Sequence, residues 1–442
     1  MKKITNFTMS QGMINEIQNM MKAPHPIIYF EKLDIFTVSF NLMNINRLQS
    51  TMICLLKDSY VQQSQRYVKN TKDSFQELNI DNELLKEEYV NLVEKTMDLY
   101  TRMTEIKEES KGKSRTTVAD YKHGIPIEDA RYILPLSAKT NMSVTMSGDK
   151  FGTFIALLSH YSKTIFKDLY DELCDILEMS GIDKVIMNYY DPKIINLFAS
   201  NATELLNVSS NNRIEVDKEG INAICRGILM STTADPSKKV EEKYPTLDDR
   251  EALIKRVAGY GHTSVLEQYR FNSIMKCSLV TLHQLIRHRM VNIKPISLDN
   301  MVKMISGREH IIPNTIKRSI FIEEYEALVQ EWRILNLRLI KSGITNESPL
   351  LTILNGDEIV FNFTTNIRAD EEFLNKRLCV NAQWEIRRLA KDRVTKLRET
   401  ELGFIYEKFA KPDCALPKGC QEGAYSCSKK VREAAKAVKK NG

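Results

Sequence analysis

The sequence predicts a mixed α/β fold (α+β) that is built from two related units. Segments of strand-like composition alternate along the chain with segments whose apolar residues recur at helical spacing. Three short patterns also occur twice, each time at the same separation within the 442 residues. Together these observations favour a duplicated unit that contains both strands and helices.

Two segments predict strands and two predict long helices. Residues 27–42 and 267–280 are rich in the β-branched and aromatic residues that are typical of strands. Residues 82–103 and 320–340 carry apolar residues at the spacing of one helix face.

A shorter helix is predicted from Ser278 to Arg289, because Leu279, Leu282 and Ile286 form one apolar stripe. We expect Pro295 to end this helix soon afterwards, since the residue before a proline is biased away from helical geometry.

The repeated patterns share an offset of 219 residues (343 − 124, 366 − 147 and 373 − 154). Chance similarity between two segments rich in Lys, Asn and Ile is the alternative explanation. The three repeated pairs, called anchors below, are His-Gly-Ile at 123–125 with Ser-Gly-Ile at 342–344, Thr145–Ser147 with Thr364–Asn366, and Phe154 with Phe373.

A proline turn with Asn and Ser clusters at 190–210 predicts the boundary between the two units. We therefore expect units at 1–205 and 206–412 and a basic tail at 413–442.

The composition excludes several classes of protein. Hydrophobic residues make up 43% of the chain and the net charge is only +6, so a mainly disordered chain is excluded. No apolar run approaches the roughly 18 residues of a membrane helix, and the N-terminus lacks the apolar region of a signal peptide. We therefore expect a cytoplasmic protein without a membrane partner. The mild basicity suits small phosphate-bearing ligands and does not require nucleic acid.

The eight cysteines are scattered, which favours reduced thiols over a disulfide framework. Cys414, Cys420 and Cys427 lie close together near the C-terminus, so a zinc site with a fourth ligand or a redox pair is the alternative. Because their spacing matches no standard zinc pattern, no metal is predicted.

The candidate functional side chains are most concentrated at residues 284–297. The sequence contains no dinucleotide-binding, P-loop, HExxH or GxSxG motif. On a helix, Gln284, Arg287 and His288 share one face, and Arg289 points well away from Arg287. Arginine grips phosphate through two parallel hydrogen bonds. The segment therefore favours a polyanion site that serves two ligands, and a solvated charge run is the alternative.

Arg287-His288-Arg289, seven further residues and then Ser297 resemble the signature of flavin-dependent thymidylate synthases of the ThyX type. Four more blocks of the second half follow the family's order. They are Gly261, His262 and Glu267 within 259–268, Asn366 with Arg368, the segment 373–377 that ends at Arg377, and 381–386, where Asn381 stands at a position that is often histidine in the family.

The second half also departs from the family, and the first half supplies what is missing. Leu298–Asn300 and Pro349–Leu354 replace blocks that carry phosphate-binding arginines, whereas Gln62–Tyr67 and Ala130–Pro135 retain them. The first half has lost other positions in turn. Cys54-Leu55-Leu56 stands in place of the Arg-His-Arg run, Asp149 stands opposite Arg368, and Leu158 stands opposite Arg377.

The resemblance implies conversion of dUMP to dTMP, with methylenetetrahydrofolate as carbon donor and NAD(P)H-reduced FAD as hydride source. It also implies a helical layer over a sheet in each unit, a pseudo-dimer in one chain, a homodimer in place of the family's tetramer, and active sites composed from both halves. The first half (1–205) would supply the dUMP phosphate side, and the second half (206–412) would supply the FAD and uracil side.

The resemblance also implies roles for individual residues. Those implied for dUMP are Ser64, Gln65, Arg66, Arg131, Gln284, Arg287 and Arg377, with Arg377, Ser64 and Gln284 as the catalytic set. Those implied for FAD are Ser231, His262, Arg287, His288, Arg289, Asn366 and Arg368.

Two other functions remain open. The family's acidic residue is Pro295 in the second half and Gln62 in the first, and its loss could redirect the chemistry to another pyrimidine modification such as hydroxymethylation. A nucleotide-binding scaffold without turnover is the other alternative. In that case Ser297 and the Arg287-His288-Arg289 motif would be remnants of an active ancestor.

Overall fold

The computed structural model describes residues 2–65, 68–71, 73–105, 125–208, 212–217, 219–304, 307–417, 419–423 and 426–428. The chain packs as two compact units, and each unit is made of three chain segments. Unit 1 comprises Met1–Ala202, Ser278–Arg287 and Pro295–Ile359, and unit 2 comprises Thr203–Cys277, His288–Lys294 and Val360–Gly442. Parts of the second sequence half thus pack within unit 1. The boundaries at 205 and 412 remain a prediction of where one repeat ends.

Within the described ranges, eight strands form two four-stranded sheets with the same order. The first sheet is ordered β1-β2-β4-β3 and is antiparallel throughout. The second is ordered β5-β6-β8-β7, and its β5 is antiparallel to β6. The repeated order confirms the mixed, duplicated fold. The strands are β1 (Ile4–Met9), β2 (Thr37–Asn46), β3 (Ser59–Gln62), β4 (Lys139–Ser147), β5 (Asn212–Glu215), β6 (Arg270–Ser278), β7 (Asn292–Pro295) and β8 (Glu358–Asn366).

Nineteen helices lie within the described ranges. They are α1 (Gln11–Met21), α2 (Arg47–Leu55), α3 (Glu83–Thr104), α4 (Ile127–Ala130), α5 (Gly148–His160), α6 (Lys167–Met179), α7 (Pro192–Ile195), α8 (Ala202–Leu206), α9 (Glu219–Leu229), α10 (Pro236–Lys243), α11 (Leu247–Gly259), α12 (Leu279–Leu285), α13 (Leu298–Lys303), α14 (Asn314–Lys317), α15 (Ile322–Lys341), α16 (Ser348–Leu351), α17 (Ile367–Arg377), α18 (Trp384–Arg398) and α19 (Gly403–Phe409). None of these described helices is long and apolar enough to cross a membrane.

Both long predicted helices are confirmed as α3 and α15. They pack against each other in unit 1, where Trp332 of α15 donates from Nε1 to Thr96 Oγ1 of α3 at 2.9 Å. Trp332 is almost fully buried and meets the ring of Tyr89 edge-on at 5.8 Å. The apolar stripes that predict these helices are therefore the faces that they bury.

The strand prediction at 27–42 is correct only from Thr37 onwards. Phe30–Leu33 instead forms a 3₁₀ turn in which Phe30 and Leu33 are both fully buried. This turn lies against α5, where a Cβ added to Gly152 would come within 2.3 Å of the Phe30 ring. A pair of large apolar residues three apart suits a short helical turn as well as a strand, and packing on α5 selects the turn. The second strand prediction is confirmed by β6, although α12 already begins at Leu279.

The structure repeats the 219-residue offset of the sequence. Strands β4 and β8 are both nine residues long, and their first residues are 219 apart (358 − 139). Each strand ends in the residue that precedes the next helix, Ser147 before α5 and Asn366 before α17. Phe154 and Phe373 are both fully buried on those helices. The third anchor is only partly testable, because residues 123 and 124 lie outside the described residues.

Candidate active site

Helix α12 is shorter than the sequence predicts. Its cap Ser278 accepts from the Thr281 backbone N–H at 3.2 Å, and the helix ends at Leu285. Arg287 and His288 therefore lie in the turn that follows and do not share a helical face with Gln284. Pro295 is not the cause, because it is the last residue of β7. The helix ends early because the chain has only six residues after Leu285 in which to reach β7.

The caps of α2 and α12 give a second possible match for the Arg-His-Arg run, whereas the strands that follow these helices keep the predicted match with Cys54-Leu55-Leu56. Both helices follow a strand directly and are capped at N3 by a side chain, Asn46 for α2 and Ser278 for α12. That offset of 232 residues (278 − 46) places Leu55-Leu56-Lys57 opposite residues 287–289, one position later than the sequence comparison suggests. The following strands are offset by 233 (292 − 59), so the two turns differ by one residue.

A buried polar cluster joins α2 to α12 inside unit 1. Arg47 is 4% exposed, and its Nη2 lies 2.6 Å from Nδ1 of His283. The other ring nitrogen of His283, Nε2, lies 2.6 Å from Thr51 Oγ1, which donates to the Arg47 carbonyl at 2.7 Å. Since a guanidinium can only donate, we assign Nδ1 as the acceptor and Nε2 as the protonated nitrogen.

Two further arginines act on this cluster as positive charges, against a smaller opposing effect of Cys54 on Arg47. Burial, Arg47, Arg131 and Arg287 together hold the pKa of His283 well below its usual 6.5, so the ring is neutral at pH 7. Burial, followed by the charges of Arg131 and Arg287, lowers the pKa of Arg47 from 12.5 to about 9, which still leaves it protonated. Three guanidinium groups and a neutral imidazole therefore act on one another.

Gln62 connects Arg287 to helix α2. Its Oε1 accepts from Arg287 Nη2 at 3.4 Å, and its Nε2 donates to Ser50 Oγ at 3.0 Å. Ser50 Oγ in turn donates to the Arg47 carbonyl at 3.0 Å. Because Gln62 is an amide and carries no charge, the contact orients Arg287 without neutralising it. Gln284 is half-buried on α12, and its Nε2 donates to the Val280 carbonyl at 3.5 Å.

The phosphate-side residues predicted from the first half also lie in unit 1. Arg131 is 6% exposed and donates from Nε to the Glu128 carbonyl at 3.1 Å. Ser64 is half-buried in the turn after β3, and Gln65 beside it is 7% exposed. The Gln65 Nε2 is buried and has no hydrogen-bond partner among the described residues. Arg66 lies outside the described residues.

Unit 2 holds Arg377 and His288, two further residues for which the sequence predicts a role. Arg377, the last residue of α17, donates from Nε to Nε2 of His288 at 2.9 Å. The His288 ring meets Phe373 edge-on at 5.1 Å. His288 therefore accepts at Nε2, and Phe373 fixes the plane of its ring. Arg289 follows as an exposed residue.

Two residues predicted for the cofactor have structural partners in unit 2. The side chain of Asn366 accepts from the Ala369 N–H at 2.8 Å and so caps α17. Arg368, which is half-exposed, pairs with the carboxylate of Glu267. Asn366 and Glu267 thus set the start of α17 and the position of the Arg368 side chain.

Ser231 and His262 are both exposed in unit 2. Ser231 donates to the Ile228 carbonyl at 3.4 Å. Gly261, beside His262, has a φ of +89° and open space where a side chain would stand.

The C-terminal cysteines show no metal arrangement in the described part of the chain, where no group of three or more His, Cys, Asp or Glu side chains could hold an ion. Cys414 and Cys427 are exposed thiols, and Cys420 Sγ lies 3.3 Å from Ser426 Oγ.

Sequence reasoning missed Arg47 and His283. His283 directly precedes the flagged Gln284, and its chemistry becomes visible only when α2 is beside it. Arg47 follows a capping residue, where a charged residue is ordinary. Its burial depends on contacts 236 residues away in sequence, which no local pattern reveals.

Fold and site together define a duplicated α+β protein whose guanidinium clusters suit phosphate-bearing ligands. Residues 32–164 and 216–400 both match the family described as thymidylate synthase complementing protein. The chain belongs to this family, as a tandem duplicate whose halves match in turn, and is an enzyme of the flavin-dependent thymidylate synthase class.

Two sequence relatives support this assignment. A flavin-dependent thymidylate synthase of Pyrococcus abyssi is 32% identical over 195 residues, which cover 42% of this chain and 80% of the relative. That of Clostridium tetani is 30% identical over 210 residues, covering 43% and 82%. A crystal structure of the Helicobacter pylori ThyX enzyme complexed with FAD and dUMP is 19% identical, with a TM-score of 0.35, and covers 46% of this chain and all of that one.

Proposed function

We propose that the protein converts dUMP to dTMP, with methylenetetrahydrofolate as carbon donor and NAD(P)H as the final reductant. In this reaction a carbon–carbon bond forms at C5 of the pyrimidine, the C5 proton leaves and tetrahydrofolate is released. FAD, when bound, supplies the hydride that completes the methyl group. We further propose that the substrate site uses residues of both sequence halves.

One observation carries the composite site. Gln62 and Arg131 of the first half pack in unit 1 with Gln284 and Arg287 of the second half, and Arg287 donates to Gln62. This supports a phosphate side that is built within one chain, from a first half that kept Arg131 and a second half that kept Arg287.

The residues would act by binding and polarising. In unit 1, Arg131, Arg287, Ser64 and the Gln65 backbone would hold the phosphate, with Arg66 as a further cation, and Gln284 would face the base. Unit 2 by itself carries Arg377, a fixed cation that would polarise a carbonyl of a ring bound in that unit, because such a cation stabilises negative charge that develops on an oxygen. His288 would keep the Arg377 guanidinium in place through its Nε2. Ser231, His262, Arg289 and Arg368 would hold the flavin cofactor, and the cap Asn366 would orient the start of α17.

The test is a single-turnover assay on the purified protein. The visible spectrum reports bound flavin, and the product made from dUMP, methylenetetrahydrofolate and NADPH is identified by mass. A flavin spectrum together with dTMP supports the proposal. A heavier pyrimidine product, such as a hydroxymethyl nucleotide, would instead connect the missing carboxylate at Gln62 with altered chemistry. A colourless protein that neither retains added FAD nor turns over dUMP would contradict the proposal and favour the scaffold.

A matched pair of variants locates the site. Arg287→Met should lower kcat/KM for dUMP by at least about tenfold, which is the worth of one hydrogen bond to a charged group. Arg318→Met, at an exposed position outside the proposed site, should leave turnover unchanged. Equal rates for both variants would remove Arg287 from the site.

A further inference from the structure

The buried guanidinium of Arg47 has no carboxylate to balance it. No ion pair within 4 Å joins Arg47 to a carboxylate of the described residues, and its Nε is buried without a hydrogen-bond partner among them. Arg47 is nevertheless 96% buried, a position that ordinarily requires a paired charge.

The nearest charged neighbours add to the imbalance. Arg131 and Arg287 act on Arg47 as further positive charges, and the residue that shares its Nη2 is an uncharged histidine. Gln62 supplies an amide where a carboxylate would neutralise Arg287. Arg47 itself therefore carries a buried positive charge that no carboxylate of the described residues balances, and an anion bound near it would supply the missing negative charge.

We propose that Arg47, held by His283 and Thr51, is a positioning residue that tunes this site for the dianionic phosphate of a nucleoside monophosphate. The inference rests on the proposed function and extends it to a residue that no motif marks. Arg47 acts from behind Arg131 and Arg287 by adding a desolvated positive charge, which strengthens their attraction for a phosphate dianion over an uncharged nucleoside.

His283 orients Arg47 without neutralising its charge. Its Nδ1 orients the Arg47 guanidinium through a hydrogen bond, as a carboxylate would, but it adds no negative charge. Its Nε2–H is fixed by Thr51, so the ring cannot turn to release Arg47. The positive charge of Arg47 is therefore not neutralised inside the fold and can attract an anionic ligand.

The experiment compares dUMP with deoxyuridine, which lacks the phosphate, by calorimetric titration of the flavin-loaded protein. Arg47→Met should weaken dUMP binding by about tenfold to a hundredfold and leave deoxyuridine binding unchanged. Arg47→Lys keeps the charge and should restore most of the preference. Equal weakening of both ligands by Arg47→Met would show a structural role and overturn the inference.

Two variants of His283 test the same inference if the Arg47→Met protein does not fold. His283→Asp places a carboxylate beside Arg47 and should abolish most of the preference for dUMP. His283→Asn is neutral and similar in size to that aspartate, and it should keep the preference. If the two variants discriminate dUMP from deoxyuridine equally, charge at this position is irrelevant and the inference fails.

Failure of the proposed function is distinguishable from failure of this inference. If the wild-type protein binds neither dUMP nor deoxyuridine, the proposed function is wrong, and inorganic phosphate becomes the probe. Thermal stabilisation of the wild type by millimolar phosphate, lost in His283→Asp but kept in His283→Asn, would still support the anion site. Absence of stabilisation in the wild type would overturn it.

Discussion

Arg393 of unit 2 and Arg47 of unit 1 are both buried, but the two arginines have opposite partners. In unit 2, Arg393 is fully buried and donates from Nε to Asp370 at 2.8 Å and from Nη1 to Ser273 Oγ at 2.8 Å. Its guanidinium also lies 4.8 Å from the centre of the Phe363 ring. In unit 1, Arg47 is almost as buried but meets the neutral ring of His283.

The difference separates a structural charge from a functional one. Arg393 and Asp370 neutralise each other, and Tyr406 donates to the second Asp370 oxygen at 3.0 Å, so the charges of the pair balance within the fold even though Arg393 Nη2 has no hydrogen-bond partner in the described part of the chain. Arg47 stays uncompensated, which costs stability unless a ligand repays the cost on binding. Buried arginine alone is therefore uninformative, and the charge of its partner indicates whether the site serves the fold or a ligand.

The largest expected effect is in unit 2. Arg393→Met should lower the free energy of unfolding by about 3–5 kcal/mol, because it leaves Asp370 buried and unpaired. Urea denaturation followed by circular dichroism measures this loss.

The control for Arg393→Met removes both charges. Arg393→Met with Asp370→Leu leaves no unpaired charge, so the double variant should be more stable than Arg393→Met alone. A double variant that loses as much as the sum of the two single variants would mean that the pair is not the source of the stability, and the contrast with Arg47 would disappear.

Much of the fold could be predicted because its determinants are local. The stripes of α3 and α15 and the repeated anchors before α5 and α17 are visible in the sequence itself. The segment at 27–36 could not be predicted, since the choice between strand and turn depends on glycines of α5 that lie more than 100 residues away.

The site could be predicted only where a motif survives. Arg287, Arg377 and Arg131 are visible by resemblance, because their neighbours in sequence are also retained. Arg47 is not, since its burial and its partner both come from tertiary packing. The early end of α12 was missed because the position of β7, and not Pro295, determines where the helix stops.

The contribution of His283 to the stability of unit 1 should depend on pH. The pKa of His283 lies well below 6.5 in the fold, so below that pH the unfolded chain binds a proton that the folded chain does not. The contribution of His283 is therefore complete above pH 6.5 and is lost as the pH falls toward the lowered folded pKa, by at most about 1.4 kcal/mol per pH unit.

Urea unfolding at about pH 7.5 and about pH 5.5 measures this term as the difference between the wild type and His283→Asn. The wild type should lose more stability between the two pH values, because only its unfolded chain gains a proton on a ring that burial and the charges of Arg47, Arg131 and Arg287 keep neutral in the fold. Equal losses would indicate that His283 is charged in the fold, and that the cluster is not built around a neutral acceptor.

The smallest expected effect tests how firmly His283 is held. Thr51→Val keeps the shape of the side chain but removes the acceptor of the His283 Nε2–H. The free energy of unfolding should therefore fall by about 1–2 kcal/mol, whereas Thr51→Ser should lose less.

A small cavity of about 20 Å³ borders Thr51 and His283, and its other lining residues are apolar, including Leu48, Met52 and Leu55. A water there would find too few polar partners to replace the hydroxyl. If Thr51→Val matched the wild type both in stability and in its preference for dUMP, the ring of His283 would be held by Arg47 alone.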